Sequence, residues 1–255
     1  VVLIAAFLFT SIISVVTGST SLITVPVMFQ FGIDARVAVA TNMFALTFMS
    51  VGGALPFLRA RTMNRKRLAP LVGLTLVGSV IGAELVLVTS AHLLSLIIAI
   101  AMIAIVVFSL TKRDAGLAPP RAAPSRFAEG AGYAGTFALG IYGGFFSGGY
   151  VTLLTAVYIA LFQMTFLEAV AITKVINIFS SGAATLIFMA RGLVDYRLGL
   201  VLGAVMFIGA TIGARVALRM QNVWLRRIFL AAVIALALKT LLYDLAYPLI
   251  RQAPS

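Results

Sequence analysis

Thr17-Gly18-Ser19-Thr20-Ser21 stands in the middle of an apolar run that extends from Val1 to Phe31. As a single helix, residues 1–31 would measure about 46 Å at ~1.5 Å per residue, against a hydrocarbon core of ~30 Å. Glycine permits a sharp turn there, and Ser and Thr suit the N-cap of a helix restarting at Leu22. The stretch therefore predicts a fold-back near Thr17–Ser19 and a half-helix that begins inside the bilayer. Such a start aims unpaired N–H groups and partial positive charge at its surroundings, an arrangement that suits an anion. A second stretch, Gly143-Gly144-Phe145-Phe146-Ser147-Gly148-Gly149-Tyr150, interrupts the apolar run 129–162 in the same way. The bland reading of both is close helix packing through small residues.

The recurrence is not isolated. Arg36-Val37-Ala38-Val39-Ala40-Thr41-Asn42 lies 132 positions before Glu168-Ala169-Val170-Ala171-Ile172-Thr173-Lys174, and Gly78–Ala83 lies 131 before Gly209–Ala214. Two half-chain copies of one hydropathy pattern mark a transporter built from internal repeats. The expected organisation is repeat one at 1–111, a Pro-rich basic cytoplasmic linker at 112–128 and repeat two at 129–255, all one membrane domain. Apolar segments are expected at 36–58, 68–90, 93–111, 166–190, 197–218 and 225–248, besides the two interrupted runs.

Composition agrees. Of 255 residues, 62% are hydrophobic and 10% charged, far short of the roughly 25% charged residues typical of soluble domains. The formal charge of +12 reflects Lys and Arg in short gaps between apolar segments, as cytoplasmic loops collect them, and not a nucleic-acid surface. The chain has no cysteine and one histidine, His92, so thiolate chemistry and a His-rich metal site are excluded, and no cofactor is expected. Val1–Val16 reads as a retained membrane segment and not as a signal peptide.

Loop charge sets the orientation. In repeat one, positives crowd the second gap, at Arg59, Arg61, Arg65, Lys66 and Arg67, while the third holds His92. In repeat two the third gap is the strongly basic one, with Arg215, Arg219, Arg226 and Arg227. Placing both basic gaps inside requires an odd number of membrane-entering segments per repeat. The sequence thus predicts an all-α integral membrane protein of two inverted repeats. Each has a broken, re-entrant first helix followed by three to four membrane helices, and both termini lie outside. A plain eight-crossing arrangement with both termini inside is the alternative.

Lys174 is the buried cation hardest to explain by packing, because placing an ammonium in a membrane costs at least ~2.5–3.5 kcal/mol; the bland reading is snorkelling to the interface. Asn177 sits one turn away, with Ser180 and Ser181 beyond and Ser50 as the counterpart in repeat one. Gly78/Gly82 and Gly209/Gly213 read as helix-packing motifs. Glu84 and Arg215 follow them at equivalent positions, and inversion predicts that these two do not meet. Lys239 is a second deep cation, with Asp244 five residues on. No Ser/His/Asp set, metal cluster or phosphate loop supports enzyme chemistry.

These residues resemble the sulfite exporter TauE/SafE family of membrane transporters. The resemblance is carried by Leu22-Ile23-Thr24-Val25-Pro26-Val27, Val37–Asn42, Gly52-Gly53-Ala54-Leu55, Gly143–Gly149, Glu168–Ala171, Arg191-Gly192-Leu193-Val194-Asp195-Tyr196-Arg197 and Gly209–Ala214, and it spans nearly the whole chain. It implies transport of sulfite, sulfoacetate or related organosulfonates across a bacterial inner membrane. Lys174 and Ser147–Tyr150 depart from the family pattern, which usually has a small polar residue and more glycine there. The expected mechanism is alternating access at a central anion site. Thr17, Gly18, Ser19, Thr20 and Ser21, with Ser147, Gly148, Gly149 and Tyr150, would offer N–H donors. Thr41, Asn42, Thr173 and Asn177 would add side-chain bonds, and Lys174 the balancing charge. Proton coupling through Glu84 or Glu168 and facilitated diffusion both stay open, as does oligomeric state. The alternative function is an anion channel for small inorganic anions.

Overall fold

The computed structural model describes residues 2–18, 20–60, 67–90, 93, 124–221, 223, 224 and 227. Ser19, Arg61, Arg65, Lys66, His92, Lys239, Asp244, the linker up to residue 123 and most of the predicted segments 93–111 and 225–248 lie outside the described residues.

Eight helices follow in order among the described residues: α1 Val2–Thr17, α2 Ser21–Gln30, α3 Ala35–Arg59, α4 Leu68–Val88, α5 Arg126–Phe145, α6 Tyr150–Phe162, α7 Phe166–Ala190 and α8 Tyr196–Arg219. Of these, α3, α4, α7 and α8 are long and apolar enough to cross a membrane. Both quoted glycine stretches are helix breaks. Ser125 accepts a hydrogen bond from Ala128 N and starts α5 at Arg126.

Side-chain registers fix the helix directions. Thr47 meets Thr185 at 3.2 Å, Ser50 accepts from Asn177 at 2.6 Å, and Gly53 lies against the Lys174 stem. Numbers rise along α3 as they fall along α7, so these two cross antiparallel. Asp195 N donates to Thr41 at 3.0 Å, Gly199 faces Phe44, Gly203 faces Phe48 and Thr211 donates to the Gly52 carbonyl at 3.1 Å. Accordingly α3 and α8 run parallel. Gly209 lies on Leu8 and Ser11, and Gly213 on Ile12 and Val15, so α1 is parallel to α8. In the same way Gly140 lies on Thr75 and Gly144 on Ser79, making α4 parallel to α5. The packing survives exchange of the halves: α1 with α8 answers to α5 with α4, and α3 crosses its own counterpart, α7.

Within each half the broken stretch reverses the chain. Gly132 faces Phe162, Thr136 donates to the Tyr158 hydroxyl at 3.3 Å and Gly143 faces Tyr150, so α6 runs back along α5. Asn42 of α3 reaches Ser21 and Thr24, while Met49 reaches Thr20. α2 is thus antiparallel to α3 and, through α8, antiparallel to α1.

These directions sort the charges. Arg59, Arg67, Arg126 and Arg219 close helix ends on one side of the bundle. There Arg67 pairs with Glu129 at 3.2 Å, stacks 5.3 Å from the Phe162 ring centre and donates to the Phe162 carbonyl, joining the ends of α4, α5 and α6. Asp34, Arg36, Glu84, Arg191, Asp195 and Arg197 share the opposite side. Glu84 pairs there with Arg191 at 3.8 Å, not with Arg215.

The glycines of the two GxxxG motifs carry the seams. A Cβ on Gly82 would collide with the Ile141 carbonyl oxygen, and one on Gly213 with that of Ile12. Backbone atoms cannot retreat as a side chain end can. Gly82→Ala and Gly213→Ala should each destabilise the detergent-solubilised protein by about 1–3 kcal/mol. Gly73→Ala, where nothing lies within 4 Å, should be neutral or stabilise by up to ~1 kcal/mol. Equal melting temperatures for all three variants would refute this account of the seams.

Candidate functional site

The two helix breaks are in contact. Gly18 has φ 71° and Gly149, the N-cap of α6, φ 72°. This left-handed region is one that glycine enters without steric cost. A Cβ on Gly18 would lie 2.7 Å from Thr152 N, and one on Gly148 would lie 2.6 Å from Leu22 Cδ2. Thr152 donates to the Thr17 carbonyl at 2.5 Å, closing an orphan carbonyl at the end of α1 with a hydroxyl from α6. Each break thus rests on the half-helix that the other begins.

The helix starts differ in a way that bears on binding. Those of α3, α5, α7 and α8 are capped by the side chains of Asp34, Ser125, Thr165 and Asp195. Among the described residues the starts of α2, α4 and α6 carry no side-chain cap, and of these the starts of α2 and α6 lie in the middle of the bundle. Of the Ser and Thr expected to cap α2, Ser19 lies outside the described residues and Thr20 does not cap it. Its N-cap residue, Thr20, has helical φ and ψ and turns its hydroxyl to the Met49 sulfur at 3.5 Å.

Between the breaks lies a cavity of about 10 Å³, room for about one water. Of the residues singled out in the sequence, Gly18, Thr20, Ser21, Ser147, Lys174 and Asn177 line it. Lys174 is 2% exposed, and its ammonium donates to the Ser14 carbonyl at 2.9 Å, in the last turn of α1. The negative end of the α1 dipole holds the cation there. No Asp or Glu is buried among the described residues, so the ammonium has no carboxylate beside it in the interior. Snorkelling is thereby set aside. Asn177, 4% exposed, donates to Ser50 at 2.6 Å, and its Oδ1 is buried without a hydrogen-bond partner.

Other expected residues are engaged around this cavity instead of lining it. Asn42 donates to Ser21 at 2.9 Å and accepts from Thr24 at 2.7 Å, bracing the start of α2. Thr41 accepts from Asp195 N at the start of α8. Thr173 donates to the Val170 carbonyl and lies 3.5 Å from Thr155. Tyr150 packs its ring on Gly143, Gly148 carries the Leu22 contact, and Gly149 makes the turn. Glu84 and Glu168 lie at opposite ends of the bundle, outside the lining. Leu46, Met49 and Val151 line the cavity unforeseen. Helical spacing from Asn42, at i+4 and i+7, would have found the first two.

The family model described as sulfite exporter TauE/SafE matches residues 3–240. A Sinorhizobium protein named "Probable membrane transporter protein ORF9" is 28% identical over 250 residues, covering 96% of this chain and 93% of its own. The Escherichia coli K12 "Probable membrane transporter protein YfcA" is 27% identical over 235 residues, covering 90% and 84%. A "Probable membrane transporter protein" of Haemophilus influenzae is 25% identical over 205 residues, 80% of each chain. No solved structure matches significantly. The chain belongs to the sulfite exporter TauE/SafE family of multi-pass membrane transporters.

The contact between breaks separates two glycines of like conformation. Gly32 has φ 76° with nothing near its Cβ position, so Gly32→Ala should cost only the left-handed penalty of about 1–2 kcal/mol. Gly18→Ala adds a backbone collision and should cost roughly 1–3 kcal/mol more. Chemical or thermal denaturation of the two variants side by side checks this, and equal losses would mean that the breaks do not interlock.

Proposed function

We propose, with that family membership as the premise, that the protein carries small sulfur-containing anions such as sulfite, sulfoacetate or related organosulfonates by alternating access. The central site is the cavity between the two breaks. The observation that carries the reading is Lys174, an ammonium enclosed in a membrane bundle with no buried carboxylate beside it among the described residues. Such a charge is costly unless something compensates it, and an anionic substrate supplies that compensation when bound. The uncapped starts of α2 and α6 add N–H donors and partial positive charge at the same place. Sulfite and sulfonate oxygens accept several such bonds at once.

The cavity's size favours a transporter over a channel. It has room for about one water, and a sulfonate is several heavy atoms larger. The tips must part to admit it. Two inverted repeats would let them do so alternately toward either face. The antiparallel crossing of α3 with α7 and the exchange-symmetric packing of α1 with α8 and α5 with α4 support that symmetry. By the positive-inside rule, the side holding Arg59, Arg67, Arg126 and Arg219 faces the cytoplasm of a bacterial inner membrane, with both termini outside. Among the described residues no carboxylate lines the site, and facilitated diffusion and proton coupling both stay open.

Two experiments test this. In proteoliposomes, Lys174→Met should lower sulfite or sulfoacetate flux about tenfold or more, as expected for lost charged hydrogen bonds of ~1.5–3 kcal/mol. The ligand-free melting temperature should not fall, because the variant also removes a buried charge. Undiminished flux would overturn the reading. The chain has no cysteine, so Arg126→Cys and Arg197→Cys are clean reporters of orientation. In cells, an impermeant maleimide should label position 197 from outside, and position 126 only after the membrane is opened.

A further inference from the structure

Among the described residues that line the proposed anion site, Asn177 carries a group that an anion alone does not satisfy. Asn177 Oδ1 is a buried acceptor without a partner on a residue lining the cavity. The amide nitrogen of the same side chain is already committed to Ser50 at 2.6 Å, a helix away on α3. Asn177 stands one turn from Lys174 on α7 and lines the cavity together with that residue and with residues at the breaks before α2 and α6. The positive field of the ammonium and of the helix starts favours an amide with its oxygen toward the cavity, because the oxygen is the negative end of the amide dipole. Turning the amide over would keep a bond to Ser50, with the hydroxyl as donor, but would aim a second donor group into the positive field.

A buried acceptor left unmade costs stability, and a ligand that supplies its hydrogen recovers that cost. We infer that the substrate of this site is an oxyanion carrying a hydrogen-bond donor of its own, a hydroxyl or N–H group, which Asn177 Oδ1 reads while Lys174 and the helix starts hold the anionic oxygens. This deepens the anion reading above and rests on it. It makes Asn177 the residue that separates donor-bearing sulfonates from plain ones, as buried polar groups discriminate against ligands that leave them unpaired.

The test uses 2-hydroxyethanesulfonate and ethanesulfonate, which share the charge and the sulfonate and differ by one hydroxyl. Binding is read by ligand-dependent thermal stabilisation of the purified protein and by flux into proteoliposomes. The hydroxylated compound should bind about tenfold or more tightly in the wild-type protein. In Asn177→Leu, which keeps the branched shape and removes both amide ends, the two should become equal within about threefold while both still bind. Equal binding by the wild type, or preference for ethanesulfonate, would overturn the inference and mean that the amide offers its nitrogen; the anion site itself would stand. Binding of neither compound, nor of sulfite or sulfoacetate, would overturn the anion reading and this inference with it. Should Asn177→Leu not fold, the wild-type pair of measurements still decides.

Discussion

A helix that stops inside hydrocarbon leaves backbone donors and acceptors without water, and each unsatisfied group there costs several kcal/mol. This constraint organises the whole bundle. The chain interrupts its helices at two places in the interior, and both are enclosed by protein. The end of α1 is closed by the Thr152 hydroxyl, and the tip of the other break by the Tyr142 hydroxyl on the Gly148 carbonyl at 2.5 Å. The first break is closed from the opposite half and the second from within its own, while Gly18 and Gly148 each pack on the half-helix that the other break begins. The polar centre follows from the need to shield the interruptions.

The electrostatics of that centre divide between two kinds of helix end. The half-helices α2 and α6 bring their positive starts, and α1 brings its negative end, where Ser14 holds Lys174. Asn42 and Lys174 occupy equivalent positions in the two halves, and the chain uses them differently. Asn42 ties down its own half-helix through Ser21 and Thr24, whereas Lys174 reaches across to the opposite half. One side chain thus sets the two halves apart, and it brings a cation to the centre of the bundle.

Much of this was legible in the sequence, because hydrocarbon imposes strong rules on the chain. Segment 166–190 coincides with α7, and α3, α4 and α8 fall within two residues of the expected spans. The breaks were visible as glycine and hydroxyl residues in apolar runs too long for one crossing. Lys174 and Asn177 were visible because polar groups are rare there. What the sequence did not disclose was which polar residues face the centre. Thr41 and Thr173 lie one position before Asn42 and Lys174, and one residue along a helix is a rotation of about 100°. That rotation takes Thr41 to the start of α8 and Thr173 to Thr155. Apolar lining by Leu46, Met49 and Val151 gave no chemical signal of its own, since such residues look alike in a core and in a cavity wall.

The glycine seams have a bearing on how such a molecule changes shape. Close backbone contact between α1 and α8, and between α4 and α5, leaves little slack for either pair to slide. Each pair joins one helix from the first half of the chain to one from the second. With α3 lying along α8, and α7 joined to α4 through Ser180 and Ser79 at 2.7 Å, the molecule divides into two mixed blocks. The two blocks meet at the α3–α7 crossing, through Thr47 with Thr185 at 3.2 Å and Asn177 with Ser50 at 2.6 Å, and not along the border between the sequence halves. Each block therefore draws on both halves of the chain, and neither half packs as a unit of its own.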